Sequence, residues 1–382
     1  MLESILVYTI TAALLYVFAQ SAVANERLSQ RPNRFWTTEI ILSILLFGFI
    51  AGARYGVGVD HLSYLDIYQR VQNHISLSRE SLEPGFLFIT RLFASSGLHY
   101  FFYFAFWGIL QISFIYYALK DRKYLLPYVA LAIMLNSGYF LNWMNGIRQC
   151  VVACAFVFLI QYILDRKPFT YIISLLLLAL IHRSAVLLIP LYLLAYNKLT
   201  LDRKYLNLAI LGACVVLGMM PSWLHLMTNF ADLLTMIGYE GYADHIDLMV
   251  TDNLRVMAWG PSRISNFLTG VAIIWYYPQM KEFYKNDRYL SIYFLLFFIG
   301  ICLYNAFANT SHIFLRPIEY LTIFKLPMIA YLLYYLKRCN NIIFFIISVL
   351  VFSQIYFDIY KAVARPSFAS EFTLYKFFFQ QL

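Results

Sequence analysis

The sequence predicts an all-α polytopic membrane protein. Three observations predict it. Hydrophobic residues fill 62% of the 382 positions and charged residues only 13%, about half the charged share of an ordinary soluble chain. Apolar stretches of bilayer-crossing length recur along nearly the whole chain. Lys and Arg concentrate in the short segments between those stretches, as they do in loops held on the cytoplasmic side.

The stretches fall near 3–23, 37–53, 99–119, 124–142, 149–164, 205–220, 263–280, 289–308, 317–336 and 341–360. Residues 84–97 are apolar but short, which suits a partly embedded or re-entrant segment. Residues 168–196 are too long for one crossing, and His182-Arg183-Ser184 interrupts them, so two helices are expected to meet there. The expectation is about 11–12 transmembrane helices in a single integral membrane domain spanning 1–382. Ala22-Val23-Ala24 resembles a signal-peptidase site, but the segment opens with Glu3 and no basic leader. An uncleaved first helix is therefore expected.

The basic loops set the orientation. They are 25–35, 120–123, 165–167, 198–204, 281–288 and Lys337-Arg338. All of them face the cytoplasm if 168–196 forms a hairpin and 84–97 stays on the outer side. The extracytoplasmic side then carries both termini, loop 54–98 with its partly embedded segment, and the acidic loop 221–262. The net charge of +9 is thus a topology signal, and no nucleic-acid partner is implied. Aromatic residues at 19% fit lipid-facing and interfacial positions. The five cysteines are scattered through apolar segments, where they read as small packing residues. They suggest neither a disulfide framework nor a metal set.

Charged and polar residues inside such a chain are costly and mark function by default. Arg54-Tyr55-Gly56-Val57-Gly58-Val59-Asp60 opens the first outer loop and leads to Tyr64. Its glycines permit a tight path on which Arg54 and Asp60 converge. Asp60 could serve as a general base toward a sugar hydroxyl, or Arg54 could merely snorkel to the interface. Glu83-Pro84-Gly85-Phe86 begins the short segment. Glu83 is either an acid favoured by the helix dipole or a second catalytic or sugar-binding carboxylate. Asn145-Gly146-Ile147-Arg148-Gln149 opens a helix whose free N–H groups favour anions. Arg148 adds a planar fork suited to phosphate oxygens, or to a lipid headgroup. His182-Arg183-Ser184 sits at a helix–helix corner, where His182 is a proton carrier or a bonded packing residue. His312 and Arg316, four apart before Pro317, share a helix face and make Arg316 a second phosphate candidate.

These pieces, in this order, resemble the EpsG-like branch of the bacterial Wzy polysaccharide polymerases. The resemblance rests on Arg54…Gly58-Val59-Asp60…Tyr64, Glu83-Pro84-Gly85-Phe86, Asn145-Gly146-Ile147-Arg148-Gln149, Leu180-Ile181-His182-Arg183-Ser184-Ala185 and the late Arg316, and it spans residues 1 to about 360. Val59 stands where the family often has Thr, and Arg183 where it often has Lys.

The resemblance implies a helical glycosyltransferase of GT-C-like architecture in the bacterial inner membrane, with its site on the periplasmic side. It implies an O-antigen or exopolysaccharide polymerase that joins oligosaccharide repeat units carried on undecaprenyl pyrophosphate. A flippase and a chain-length regulator would be further partners. In that reading Arg148, Arg316 and Arg54 stabilise the leaving pyrophosphate. Asp60, or else His182, deprotonates the acceptor hydroxyl. Tyr64, Glu83, Asn145, Gln149, Arg183 and His312 complete the substrate contacts. Arginines take the place of a metal, so neither metal nor cofactor is expected. An O-antigen ligase would use the same donor with another acceptor. A lipid-linked oligosaccharide flippase or other transporter would need cations through the depth of a cavity and often internal repeats. Here the cations gather at one face and no repeat is visible.

Overall fold

The computed structural model describes residues 1–28, 35–77, 82–196, 201–220, 259–309, 312–367 and 372–380. The acidic loop 221–262 falls almost wholly outside the described residues, as do the side chains of Arg27, Arg31 and Arg34. Among the described residues the secondary structure is helical, apart from one isolated antiparallel bridge between Arg54 and Phe377.

In chain order the helices are α1 Leu2–Leu28, α2 Thr38–Ala53, α3 His61–Gln72, α4 Pro84–Ser95, α5 Tyr100–Ala118, α6 Leu126–Leu135, α7 Phe140–Asn145, α8 Ile147–Leu164 and α9 Pro168–Ala179. A 3-10 stretch, Arg183–Tyr196, follows. Then come α10 Lys204–Gly218, α11 Pro261–Phe283, α12 Arg288–Ala306, α13 His312–Thr322, α14 Lys325–Cys339, α15 Asn341–Phe352 and α16 Gln354–Ala364. Among the described residues, five segments are long and apolar enough to cross a membrane: Leu2–Glu26, Tyr100–Ala118, Ile147–Leu164, Arg288–Ala306 and Asn341–Ala364. Shorter apolar helices include Thr38–Ala53 and Lys204–Gly218. The chain is an all-α polytopic membrane protein.

Local chemistry sets the helix ends. The Thr37 side chain accepts from Ile40 N, Asp287 from Tyr289 N at 2.9 Å, and Asn340 from Ile342 N and Ile343 N. Each satisfies first-turn donors that have no partner within the helix. The structure also departs from the expected crossings in specific places. Stretch 124–142 is interrupted after Leu135, where the Asn136 side chain accepts from Gly138 N at 3.1 Å in a turn, and the helix resumes only at Phe140. The break at His182 falls where the sequence placed it. Its second arm, Arg183–Tyr196, winds as a 3-10 helix around Pro190, which lacks the N–H an α-helix needs. The stretch 317–336 is split between Thr322 and Lys325.

The chain divides into two compact units, Met1–Asn197 with Ile329–Leu382, and Lys198–Met328. In the first, α2 packs on α5, α1 on α6, and α5 on α8. Gly48 of α2 lies against Gly108 of α5 and Gly52 against Phe101 and Ala105, and a Cβ at Gly108 would lie 2.5 Å from Ala51 Cβ. Small residues at this seam let the backbones approach closely. Basic loops that were expected to share one side do meet in this unit. Lys123 pairs with Glu26 at 2.9 Å, and Tyr124 packs on Tyr334 beside Arg338. Arg122 and Lys123 are buried, with Arg122 bonded to the Ala118 carbonyl and the Tyr331 hydroxyl, rather than lying in an exposed turn.

In the second unit α10 packs on α11 and α12, and α12 on α13. Tyr277 and Phe294 stack with centroids 3.4 Å apart. The Lys281 ammonium meets both carboxylate oxygens of Asp202 at 2.8 Å.

Candidate active site

α8 leads from Arg148 to the basic turn Asp165-Arg166-Lys167. The site therefore lies at the opposite end of the first unit from those basic loops. Three chain segments are drawn together there, and a tight helix contact does it. The first turn of α4 leaves backbone donors unsatisfied within the helix. They are taken up by the Leu180 carbonyl, which accepts from Gly85 N at 2.8 Å and Phe86 N at 3.2 Å. Glu83, at the cap position, makes no side-chain bond to its own helix. Its carboxylate is thereby left for other partners.

Those partners are Arg148 and His182. Arg148 Nη1 donates to Glu83 Oε2, and His182 Nδ1 lies 3.1 Å from Glu83 Oε1. Arg183 N donates to Glu83 Oε1 as well, at 3.4 Å. The acid of a capping or dipole role is thus instead the hub of an Arg–Glu–His cluster. Burial is graded across it: the Glu83 side chain is 6% exposed, Arg148 17% and His182 23%. Burial by itself raises the Glu83 carboxyl, but the His182 hydrogen bond and the Arg148 charge outweigh it and lower the carboxyl to about 2. Glu83 is therefore ionised at neutral pH.

Arg148 stands in the first turn of α8. Its guanidinium carbon lies 5.1 Å from the Phe86 ring centroid and 5.8 Å from that of Tyr64. Phe86 and Tyr64 belong to a buried apolar cluster that also holds Tyr103, Trp107, Ile147 and Val151. This packing fixes the plane of the fork.

Gly85 is the tight point of the assembly. A Cβ there would lie 2.8 Å from both the carbonyl oxygen and the Cβ of Leu180. Gly85→Ala should push α4 off the 180–183 corner, lower stability by about 1–3 kcal/mol and disrupt the Glu83–His182 contact. Thermal midpoint and polymer yield measured on the same preparation test this. An unchanged midpoint would show that the corner can yield at no cost.

Asp60 and Asn145 also meet, through the backbone. Asp60 N donates to Asn145 Oδ1 at 2.9 Å, and a Cβ on Gly58, whose φ is +87°, would lie 2.8 Å from the Met144 carbonyl oxygen. Only glycine fits that approach at that φ. The Asp60 side chain makes no cap bond to α3. Gln149 is buried in α8, Tyr64 is buried beside Arg148, and Arg183 is exposed.

Arg54 differs from its expected place. It is 1% exposed, and its guanidinium donates to the carbonyls of Val57, Ala51 and Met144 while lying 4.7 Å over the Phe104 ring. A buried fork committed to three carbonyls braces the loop and does not present itself to a phosphate. His312 and Arg316 belong to the second unit. Arg316 is exposed and lies inside α13, which runs through Pro317 instead of starting there. The His312 side chain is outside the described residues.

The sequence reading missed three features. His61 is fully buried against Tyr55 and Phe104 with neither ring nitrogen hydrogen-bonded, and burial, then the nearby Arg54 charge, pushes it well below its ordinary pKa. Its position directly after Asp60 was the available signal. Lys325 is buried in the second unit and donates to both oxygens of Asn266. A lysine inside an apolar stretch was its signal. The segment 372–380 folds back onto the first loop, with Tyr55 N bonded to the Lys376 carbonyl at 2.8 Å and Gly58 N to the Phe372 carbonyl at 3.1 Å. Nothing local in the sequence marks that contact.

Compared with known proteins, the chain matches the model of the EpsG family over residues 38–377. The chain belongs to the EpsG family. The match takes in every segment of the cluster just described and reaches the returning C-terminal segment. No curated protein and no solved structure matches the chain. EpsG membership places it among glycosyltransferase-like polysaccharide polymerases and in polysaccharide biosynthesis.

Proposed function

We propose that this EpsG-family protein joins oligosaccharide repeat units carried on undecaprenyl pyrophosphate. In this reading it works at the extracytoplasmic face of the bacterial inner membrane, without a metal, and releases the lipid pyrophosphate. The observation that carries the reading is the convergence of Arg148, Glu83 and His182 from three distant segments beside an aromatic wall. The donor's leaving group is a pyrophosphate and already activated, so the chemistry asks for two things. Negative charge must be stabilised as the glycosidic bond to phosphate breaks, and a proton must leave the acceptor hydroxyl. Arg148 supplies a cation with a partly exposed fork, and one face of that fork is held by Glu83. Asp60 and His182 supply two candidate proton acceptors. Tyr64 and Phe86, both buried, hold the guanidinium against their rings.

The test uses purified protein in nanodiscs with its lipid-pyrophosphate-linked repeat unit, EDTA present throughout, and products resolved on a gel. The expected result is a ladder of regularly spaced bands that is lost in a folded Arg148→Ala variant. No ladder from wild-type protein with intact substrate overturns the reading. A product formed only when a lipopolysaccharide-core acceptor is added would make the protein a ligase instead.

A further inference from the structure

Building on the polymerase reading, we propose that His182 Nε2 is the base that takes the acceptor-hydroxyl proton. Glu83 then acts as the positioning residue that fixes His182 in the required tautomer. The geometry argues this in three steps. An ionised carboxylate only accepts hydrogen bonds. Glu83 Oε1 lies 3.1 Å from His182 Nδ1 and Oε2 accepts from Arg148, so the proton between Glu83 and His182 belongs to Nδ1. A neutral imidazole protonated at Nδ1 presents Nε2 with a free lone pair. The ring is the more exposed partner, at 23% against 6% for Glu83, so the imidazole and not the carboxylate is placed to reach a substrate.

The backbone holds the same arrangement from behind. Arg183 N donates to Glu83 Oε1, and His182 N is tied to the Leu178 carbonyl at 3.0 Å. These bonds hold the main chain on both sides of His182 in place, so that the imidazole starts from a fixed Cα beside the carboxylate. Asp60 lacks such support, because its tie to Asn145 runs through the backbone and its side chain caps nothing.

The step balances as follows. The acceptor O–H proton passes to His182 Nε2 while the oxygen forms a bond to the anomeric carbon. The bond from that carbon to the pyrophosphate oxygen breaks, and its electron pair leaves on the phosphate beside Arg148. Glu83 stabilises the imidazolium so formed, as a carboxylate does behind a catalytic histidine. The proton is then given up to the released pyrophosphate or to water.

Glu83→Gln tests this sharply. Arg148 still demands an acceptor on its side, so the amide oxygen turns to Arg148 and the amide NH2 turns to His182. Nδ1 must then accept, and the tautomer flips to Nε2–H. The experiment uses full-length protein with 15N-labelled histidine in nanodiscs, the His182 signals being assigned by their loss in His182→Gln. Wild type and Glu83→Asp should show Nδ1–H, and Glu83→Gln should show Nε2–H. In parallel kcat should fall by about 10²–10⁴-fold in Glu83→Gln, the usual worth of a general base, with KM little changed and partial recovery in Glu83→Asp. Nε2–H in wild-type protein overturns the proposal, whatever Glu83→Gln does. A flipped tautomer with unchanged kcat overturns the base role and leaves the polymerase reading standing. Wild-type protein that makes no polymer from intact substrate overturns the reading beneath the proposal, and that failure shows in the assay and not in the spectrum.

Discussion

Arg148→Lys is expected to cut polymer formation by about 10²–10³-fold, the usual cost of removing one donor from a charge-stabilising site. Charge is conserved in this change, so the loss would report geometry. Arg148 Nη1 is committed to Glu83, yet the planar fork has further N–H groups to offer. A lysine ammonium is a single point charge. Glu83, ionised and close by, would capture it and leave nothing directed at a phosphate. Lysine also lacks the plane that lies against Phe86 and Tyr64. Stability should change little, because the ion pair survives. The check is polymer rate and thermal midpoint on the same nanodisc sample. Wild-type chain lengths at the wild-type rate would reduce Arg148 to a counter-ion for Glu83.

The features that were legible in the sequence were those written in local chemistry. Hydropathy and the spacing of basic loops were enough for an all-α membrane chain. The break at His182 was visible because a His-Arg-Ser triplet cannot be hidden in an apolar run. The order of Arg148, Glu83 and His182 motifs was enough to suggest the family. What was not legible was pairing. Glu83 beside Pro84 looked like helix punctuation, and only the Leu180 carbonyl, a residue 95 positions from Gly85, shows that the helix end is capped by other means. Arg54 read either as a phosphate ligand or as an arginine snorkelling to the interface, the two uses of a cation at the end of an apolar helix. Two of its carbonyl partners, Ala51 and Val57, are three residues away, but the third, Met144, is met only because loop 54–60 folds against it, and the sequence does not encode that contact locally. The split of 317–336 was hidden for a related reason. The buried Lys325 stands inside that run, and its bonds to Asn266 depend on a neighbouring helix.

A second large effect is expected in acid. The Glu83 carboxyl is lowered from its ordinary value of 4.5 to about 2 by His182 and Arg148 acting against burial. A carboxyl with a depressed folded-state pKa contributes stability that is fully present above its unfolded value. That stability is lost as pH falls through the folded one. The window therefore runs from about 4.5 down to about 2, and the contribution is about 3 kcal/mol. Glu83→Gln removes the titrating group. It should be less stable than wild type at pH 7 and lose less on acidification, so that the two curves converge near pH 2. Thermal midpoints of both proteins, taken in nanodiscs from pH 7 downward, measure this. Curves that stay parallel through the window would mean that Glu83 is not coupled to Arg148 and His182 in the folded protein. Convergence would tie the stability of this corner to the same ionised carboxylate that orients His182. A site that keeps Glu83 charged for chemistry would then also depend on that charge to stay assembled.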